Sequence, residues 1–168
     1  MPKDKIQKTN ACRLLDAQGI AYDLIAYPVD PDDLSATHVA STLGEAPECV
    51  FKTIVMHGDR NGYFACLIPA GHEIDLKKAA RASGNKSCQP IPLKQLLPLT
   101  GYIRGGCTPL GMKQRMQVWI DMSCLTHERI YISAGQRGLQ LHLNPQDLIR
   151  FTNAQTAELT QDNDPKKP

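Results

Sequence analysis

Two apolar runs separated by a short polar stretch constrain the fold of this chain more than any other feature. Residues 49–56 and 63–69 are rich in Val, Ile, Phe and Cys, and residues 58–62 between them read Gly-Asp-Arg-Asn-Gly. Gly, Asp and Asn are the residues that tight turns require, and apolar runs of this length are typical of buried strands. The pattern therefore predicts a β-hairpin buried in the core of the protein.

Three predicted helices each begin at a capping side chain and end at a glycine. The caps are Thr9, Ser35 and Asp75, and the closing glycines are Gly19, Gly44 and Gly84. A hydroxyl or carboxylate at the first position can accept a hydrogen bond from a free helical N–H group, and glycine adopts the left-handed conformation that ends many helices. Apolar residues recur on one face of each segment, and in the third helix we expect Leu76, Ala79 and Ala80 to point inward.

The remaining elements predict the fold class. Strands are expected at residues 22–26, 118–120, 130–133 and 139–143, and a last helix begins at Asn144-Pro145. Because strands and helices alternate without the regular period of βαβ units, the sequence predicts a mixed α/β fold with a mixed β-sheet and peripheral helices. We expect one domain over residues 1–160, and a disordered tail over residues 161–168, which have nothing apolar to bury.

Charge and cysteine usage exclude several classes of protein. The net charge is only +2, so a polyanion would have to bind a local patch. The densest basic group, with Lys77, Lys78, Arg81 and Lys86, is either a solvated helix face or a phosphate contact.

The six cysteines form no Cys-x-x-Cys pair, and the five histidines show no His-x-x-x-His, so we expect reduced thiols, a cytoplasmic protein and no metal. Neither a membrane-spanning run nor a phosphate-binding loop is present in the sequence.

A lysine inside the first apolar run is the first candidate for chemistry. Lys52 follows Val50-Phe51 and precedes Thr53-Ile54, where a charge is costly unless it reaches solvent or a ligand. One interpretation is a lysine that extends from the open face of a sheet into water. The other is a lysine in a cleft, where it contacts an anion or an ester carbonyl.

Two glycine-rich turns are the other candidates. The first reads Gly105-Gly106-Cys107-Thr108-Pro109-Leu110-Gly111, and the second reads Ser133-Ala134-Gly135-Gln136-Arg137-Gly138. In the first, N–H groups can converge on an oxygen that becomes negative in a transition state, although most such segments are only turns. The second is a strand end that opens into a glycine turn, and its alternative interpretation is an ordinary hairpin. Arg137 could meet a phosphate or a carboxylate. No Gly-x-Ser-x-Gly motif or triad order makes Ser133 a nucleophile, and we interpret Cys107 as a small apolar residue.

These three segments, in this order, resemble the YbaK/EbsC family of free-standing aminoacyl-tRNA deacylases, which is related to the editing domain of some prolyl-tRNA synthetases. The resemblance covers roughly residues 14–150. It implies a strongly twisted sheet curled into a barrel, and a site that needs no cofactor. It also implies that Lys52 holds and polarises the acceptor end. The other implied site residues are Gly105, Gly106 and Thr108 at the carbonyl oxygen, and Tyr27, Pro109, Ser133, Gly135, Arg137 and Gln140 at the substrate.

The resemblance further implies that the protein clears Cys-tRNA(Pro), with Cys-tRNA(Cys) as a second candidate substrate and with the substrate thiol attacking its own ester. Gln140 stands where many members have Asp, and Thr108 replaces a common Ser, and both differences bear on which amino acid is recognised. A deacylase for alanine that uses water and a non-catalytic binding module remain open. So does an accessory subunit of a synthetase. The expected partner is the aminoacyl-tRNA acceptor end, and prolyl-tRNA synthetase is a candidate protein partner. We expect no binding to a membrane or to DNA.

Overall fold

Strands and short helices alternate along the chain. The computed structural model describes residues 7–162. In this range the strands are β1 (Tyr22–Ala26), β2 (Phe51–Gly58), β3 (Gly62–Pro69), β4 (Cys88–Pro90), β5 (Gln117–Asp121), β6 (Ile130–Ser133), β7 (Leu139–Leu143) and β8 (Gln155–Ala157). The helices are α1 (Asn10–Ala17), α2 (Ala36–Leu43), α3 (Leu76–Ser83), α4 (Leu96–Thr100) and α5 (Pro145–Thr152), with 3-10 turns at Pro47–Cys49, Leu93–Gln95 and Met122–Thr126.

The predicted caps and the predicted hairpin are confirmed. The side chains of Thr9, Ser35 and Asp75 each accept a hydrogen bond from a backbone N–H group in the first turn of α1, α2 and α3. Gly44 and Gly84 end α2 and α3 in the left-handed conformation. Strands β2 and β3 pair over their full length around the turn that joins Gly58 to Gly62.

The strands form two sheets. The first is antiparallel, with the order β1-β7-β6. The second has the order β4-β2-β3-β5-β8 and is mixed, because β5 runs parallel to β3 and β8 runs parallel to β5. The prediction of a mixed α/β fold is therefore confirmed, with antiparallel and parallel pairing in the same sheet.

The main core lies between the two sheets. Phe51, Leu67 and Ile120 from the second sheet and Ile132 and Leu141 from the first belong to one buried cluster, which α1 and α5 also join. The opposite face of the second sheet packs against α3 through a separate cluster. Burial of these apolar side chains supplies most of the driving force for folding.

One inward position of α3 was predicted wrongly. Ala79 and Ala80 are buried as expected, but Leu76 is 44% exposed. Leu76 is the first residue of α3, where the helix has only begun to cover the sheet, and Ile74 packs against the cluster before it.

The prediction of a sheet curled into a barrel is not supported by the described residues. A barrel requires hydrogen bonding that continues around the whole sheet. In the described residues, backbone pairing between the two sheets is limited to an isolated bridge between Val50 and Tyr131, so both sheets remain open. In the predicted tail, Gln161 donates its N–H group to the carbonyl of Glu73, while residues 163–168 lie outside the described range. Among the described helices, none has the length and apolar composition of a membrane span.

Candidate active site

A cleft opens beside the point where the two sheets meet. The two sheets are linked here by an isolated β-bridge between Val50 and Tyr131. After this bridge, β2 continues in the second sheet and β6 continues in the first. Strand β4 pairs with β2 only from Met56 onward, so the first half of β2 has no neighbouring strand on that side. The resulting cleft has a volume of about 280 Å³. Its walls come from the start of α2, the first half of β2, residues 104–107, and the paired ends of β6 and β7.

Lys52 lies in the wall of this cleft. It is the second residue of β2 and is partly buried. It takes part in none of the ion pairs found among the described residues. Arg104 lines the same cleft, whereas none of its described lining residues is Asp or Glu. The cleft therefore presents two positive charges to a ligand and no negative side chain, an arrangement suited to anionic or carbonyl oxygens.

The two glycine-rich turns pack against each other. A Cβ atom on Gly106 would lie 3.0 Å from the Cα atom of Gln136, so only glycine fits without displacing the backbone. The Nε of Arg137 donates to the carbonyl of Arg104 at 2.8 Å. Although about 30 residues separate these turns in sequence, the fold joins them into one structure, and Gly105 at its edge lines the cleft.

Three residues of the first turn face away from the cleft lining. Gly106, Thr108 and Pro109 are buried and are not among the residues that line it. The hydroxyl of Thr108 is fully buried and has no hydrogen-bond partner among the described residues. Pro109 instead lines a second cavity on the other side of the turn. The predicted carbonyl-binding turn thus contributes Gly105 and Cys107 to the cleft directly, with Gly106 and Thr108 behind them.

Ser133 and Gln140 lie side by side at the base of the cleft. They are opposite each other in the pairing of β6 with β7, so their side chains share one face of the sheet. Ser133 is 8% exposed and Gln140 is 4% exposed. The Ser133 hydroxyl accepts a hydrogen bond from the N–H of Gly135 at 3.2 Å, but the Oε1 atom of Gln140 is buried without a partner in the described structure. A buried amide oxygen of this kind can accept a hydrogen bond from a donor on a ligand.

Tyr27 and Arg137 lie beside the cleft and not in it. Both line a smaller cavity that shares Leu34, Val39 and Gly105 with the cleft. The N–H of Tyr27 donates to the carbonyl of Gly138 at 2.9 Å, which holds β1 against the second glycine turn. Their placement fits residues at the rim of the site.

Two cleft residues were missed from the sequence. Thr53 lines the cleft, and its buried hydroxyl has no hydrogen-bond partner in the described range. Arg104 also lines it. Each directly adjoins a predicted site residue, Lys52 or Gly105, and that adjacency was the only available signal.

Cys107 is the cysteine in the lining of the cleft. It is 8% exposed, and burial raises the pKa of its thiol to about 12. The thiolate is the reactive form of cysteine, so at neutral pH this side chain is a poor nucleophile. The interpretation of Cys107 as an apolar residue agrees with this environment.

Comparison with known proteins decides the family. Residues 30–151, which contain every candidate site residue except Tyr27, match the family described as the aminoacyl-tRNA editing domain. The chain belongs to this family. The resemblance inferred from the three sequence segments is confirmed, and the cleft of this editing domain is formed by those segments.

One relative of this editing domain covers nearly its whole length, and a second covers about two thirds of it. "Putative Cys-tRNA(Pro)/Cys-tRNA(Cys) deacylase EbsC" of Enterococcus faecalis is 42% identical over 161 residues, which is 95% of this chain and 98% of the relative. "Uncharacterized protein YwhH" of Bacillus subtilis is 25% identical over 113 residues, 67% of this chain and 71% of the relative.

Two crystal structures share the fold. Hypothetical protein APE2540 has a TM-score of 0.80 at 20% identity and covers 89% of this chain and 97% of its own. A "putative trans-editing enzyme for prolyl tRNA synthetase" has a TM-score of 0.79 at 22% identity over 93% and 100% of the two chains.

Proposed function

We propose that this protein is a free-standing aminoacyl-tRNA deacylase that removes cysteine from mischarged proline tRNA. Its family and the name of its relative EbsC support the reaction class and the substrate. The observation that carries the proposal is the chemistry of the cleft wall, which combines Lys52 and Arg104 with buried polar acceptors. The reaction would take place there.

The cleft wall favours a substrate that supplies its own nucleophile. Among the described residues, none of the fourteen that line the cleft is His, Asp or Glu, which are the usual bases for activating water or serine. The Cys107 thiol is held protonated by burial. A cysteinyl ester carries a thiol with an ordinary pKa of about 8.5. The sulfur is bound to Cβ, so it can reach the carbonyl carbon of the same residue. Two cations in the cleft would lower that pKa further.

In the proposed reaction, the substrate sulfur attacks the ester carbonyl within the same molecule. A new C–S bond forms, the C–O bond to the terminal ribose breaks, and the thiol proton ends on the released ribose oxygen. The products are a cysteine thiolactone and free tRNA. Intramolecular attack of this kind gains its rate from proximity, so the protein need only hold and polarise the ester.

Each site residue has its own role in this reaction. Lys52 and the N–H group of Gly105 stabilise the carbonyl oxygen as it becomes negative. The N–H group of Gly106 donates to the carbonyl of Ile103 at 2.9 Å, so Gly106 supports the shape of the turn. The unpartnered amide oxygen of Gln140 accepts a hydrogen bond from the substrate ammonium, and Ser133 with Gly135 fixes the amino-acid backbone. A cleft of about 280 Å³ lies at the small end of ligand sites, which suits an aminoacyl group and its ribose.

The compartment and the protein partner are also proposals. Translation places the substrate in the cytoplasm, and prolyl-tRNA synthetase, which produces it, is the proposed partner. Both follow from the substrate and from no contact in the chain itself.

The proposed function is tested by release of labelled amino acid from proline tRNA charged with cysteine, alanine or proline, together with cysteinyl-tRNA whose thiol is alkylated. We expect only the free cysteinyl substrate to be cleared. Lys52→Ala should lower kcat/KM by about 10²- to 10³-fold, the scale of losing one transition-state contact. Lys77→Ala, an exposed lysine on α3, is the matched control and should retain full activity.

Other outcomes lead to other functions. Clearance of alanyl-tRNA, or of the alkylated substrate, would replace the thiol mechanism by attack of water. Absence of any clearance would make the protein a binding module.

A further inference from the structure

The charges of this chain are strongly segregated. Residues 76–120 contain eight of the 19 Lys and Arg residues and no Asp or Glu, so all 17 acidic residues lie outside this segment. The small net charge of the whole chain conceals the partition. A long acid-free segment with this many cations is the electrostatic pattern of a polyanion-binding surface.

The second half of this segment folds into an arm that ends at the cleft. We define the basic arm as residues 91–116. Its two halves run beside each other: Gln114 donates its N–H to the carbonyl of Leu99 at 3.1 Å, and Lys113 donates to the carbonyl of Thr100 at 3.0 Å. Residues 104–107, at the tip, form one wall of the cleft. A ligand bound along the arm would therefore reach the active site at the tip.

The cations of the basic arm are unpartnered and exposed. They are Lys94, Arg104, Lys113 and Arg115. None of them takes part in an ion pair among the described residues. Leu93, Leu97 and Ile103 of the same arm are 61%, 53% and 45% exposed, so apolar groups accompany these charges.

Helix α3, which carries the densest basic group in the sequence, has different surroundings. Lys78 donates to Asp162 at 3.0 Å and to the carbonyl of Thr160 at 2.8 Å. The N–H of Lys86 donates to Asp59 at the turn of the β2–β3 hairpin. That turn follows Gly58, six residues along β2 from Lys52, which corresponds to roughly 20 Å at the rise of a strand. The basic face of α3 is thus bordered by acids and lies away from the cleft.

Acidic side chains also lie beside the cleft. Asp30 and Asp33 line the small cavity next to it together with His38 and Arg137, and the Nδ1 atom of His38 lies 3.7 Å from the carboxylate of Asp33. The basic arm, in contrast, contains no Asp or Glu. The charge distribution therefore favours approach of a polyanion from the side of the basic arm.

We propose that the basic arm binds the sugar-phosphate backbone of the tRNA acceptor stem, so that the aminoacylated 3′ end enters the cleft at the tip of the arm. This inference rests on the proposed function for the identity of the RNA. The arm supplies affinity through phosphate contacts, which carry no sequence information of their own. Recognition of the amino acid stays with the cleft.

The test measures binding of a fluorescent RNA hairpin with a single-stranded 3′-CCA end, by anisotropy at 50 and 200 mM salt. Two triple variants remove equal charge from exposed positions: Lys94→Gln, Lys113→Gln and Arg115→Gln in the arm, and Lys77→Gln, Arg81→Gln and Lys86→Gln on α3. For three phosphate contacts, the wild-type Kd should weaken by about 40-fold between the two salt concentrations. The arm variant should bind at least about ten-fold more weakly at low salt and lose most of that dependence, with the α3 variant close to wild type.

Two further measurements separate charge from structure and from catalysis. An arm variant with Lys94→Arg and Lys113→Arg keeps the charge and should retain affinity. In turnover, the arm variant should raise KM for cysteinyl-tRNA at constant kcat and leave cleavage of a cysteinyl-adenosine ester unchanged, because that substrate is too short to reach Lys94, Lys113 and Arg115.

Several results would overturn the inference. Equal RNA affinity in the arm variant and the wild type would remove the arm from RNA binding, and loss of synthetase binding by the same variant would assign it to a protein partner. A larger loss in the α3 variant would place the RNA on α3. If the wild type bound RNA through the arm but cleared no aminoacyl ester, the proposed function would fail while the inference stood.

Discussion

Two cavities of equal volume lie on opposite sides of the first glycine turn, and their walls differ. The cleft and the second cavity each measure about 280 Å³ and share no residue. The cleft contains Lys52, Arg104 and the buried, unpartnered amide oxygen of Gln140. The second cavity also contains one cation, Arg115, but none of its lining residues carries a buried polar atom without a partner in the described structure. Volume alone therefore does not distinguish the candidate active site from the second cavity. The distinguishing feature is a set of buried polar groups that have no partner among the described residues.

The largest effect on this comparison should come from the contact between the two glycine turns. Gly106→Ala places a methyl group 3.0 Å from the Cα of Gln136, so the backbone of the second turn must shift by a few tenths of an ångström. A misplacement of about 1 Å costs roughly 10²-fold in rate, which sets the upper limit of the expected fall in kcat/KM. Deacylation of cysteinyl-tRNA measures the loss.

Gly58→Ala is the matched control for that variant. Its new methyl group would meet the side chain of Asn85 at the far end of β2, away from the cleft. It should lower the melting temperature and leave kcat of the folded enzyme unchanged. Equal loss of kcat in both variants would mean that general destabilisation, and not the shape of the cleft, explains the effect of Gly106→Ala.

The second effect concerns the cysteine between the two cavities. Burial raises the pKa of Cys107 above its ordinary value, to about 12. The unfolded chain can ionise this thiol above about pH 8.5 while the folded chain cannot, so its contribution to stability is complete below that pH and declines as pH rises toward 12. At pH 10 the loss is roughly 2 kcal/mol from this residue.

Denaturant unfolding at pH 8 and pH 10 measures this decline, which should be smaller in Cys107→Ala. The same variant should clear cysteinyl-tRNA at the wild-type rate. Loss of activity would show that Cys107 is a nucleophile that the cleft itself supplies. The difference between the cleft and the second cavity would then be this reactive thiol.

The third effect separates binding from stability at Gln140. Gln140→Met keeps the length of the side chain and removes the unpartnered oxygen, so the free energy of unfolding should rise by about 1 kcal/mol. The substrate ammonium loses its acceptor, and KM should rise by about ten-fold. Thermal unfolding and steady-state kinetics on one preparation give both quantities. A variant that is less stable than wild type would show that Gln140 has a partner inside the folded protein.

The smallest effect on activity should come from the second cavity. Met112→Ala enlarges it and should lower stability by about 1–2 kcal/mol through lost packing. Because none of the residues that line this cavity also lines the cleft, kcat and KM should stay within two-fold of wild type, as measured on a cysteinyl-adenosine ester, which occupies only the cleft. A change in either constant beyond that would show that the two cavities communicate through the turn.

Local patterns predicted most of the secondary structure. Caps such as Thr9 and Ser35 act within one helical turn, and the β2–β3 hairpin joins neighbouring segments, so the sequence contains the whole signal. The short strands β4 and β8 were not predicted, because each forms only by pairing with a strand distant in sequence. Partners of this kind are set by tertiary packing.

Which of the predicted site residues share one cleft is seen only in the structure. Lys52, Gly105, Ser133 and Gln140 line one cleft, as expected of a common site. The separation of the sheets beyond Val50 and Tyr131, which creates that cleft and brings Thr53 and Arg104 into its wall, depends on how two sheets pack. No local pattern contains that information.

The composition of the cleft wall also determines how the protein can be detected. Reagents that profile hydrolases form a covalent bond with a serine or cysteine that a neighbouring base has activated. In the part of the chain that the structure describes, the cleft offers Ser133 without a His, Asp or Glu in its lining, and Cys107 with its proton retained. Such reagents should leave this protein unlabelled in a cell extract, so its activity will have to be followed through the charging state of its RNA.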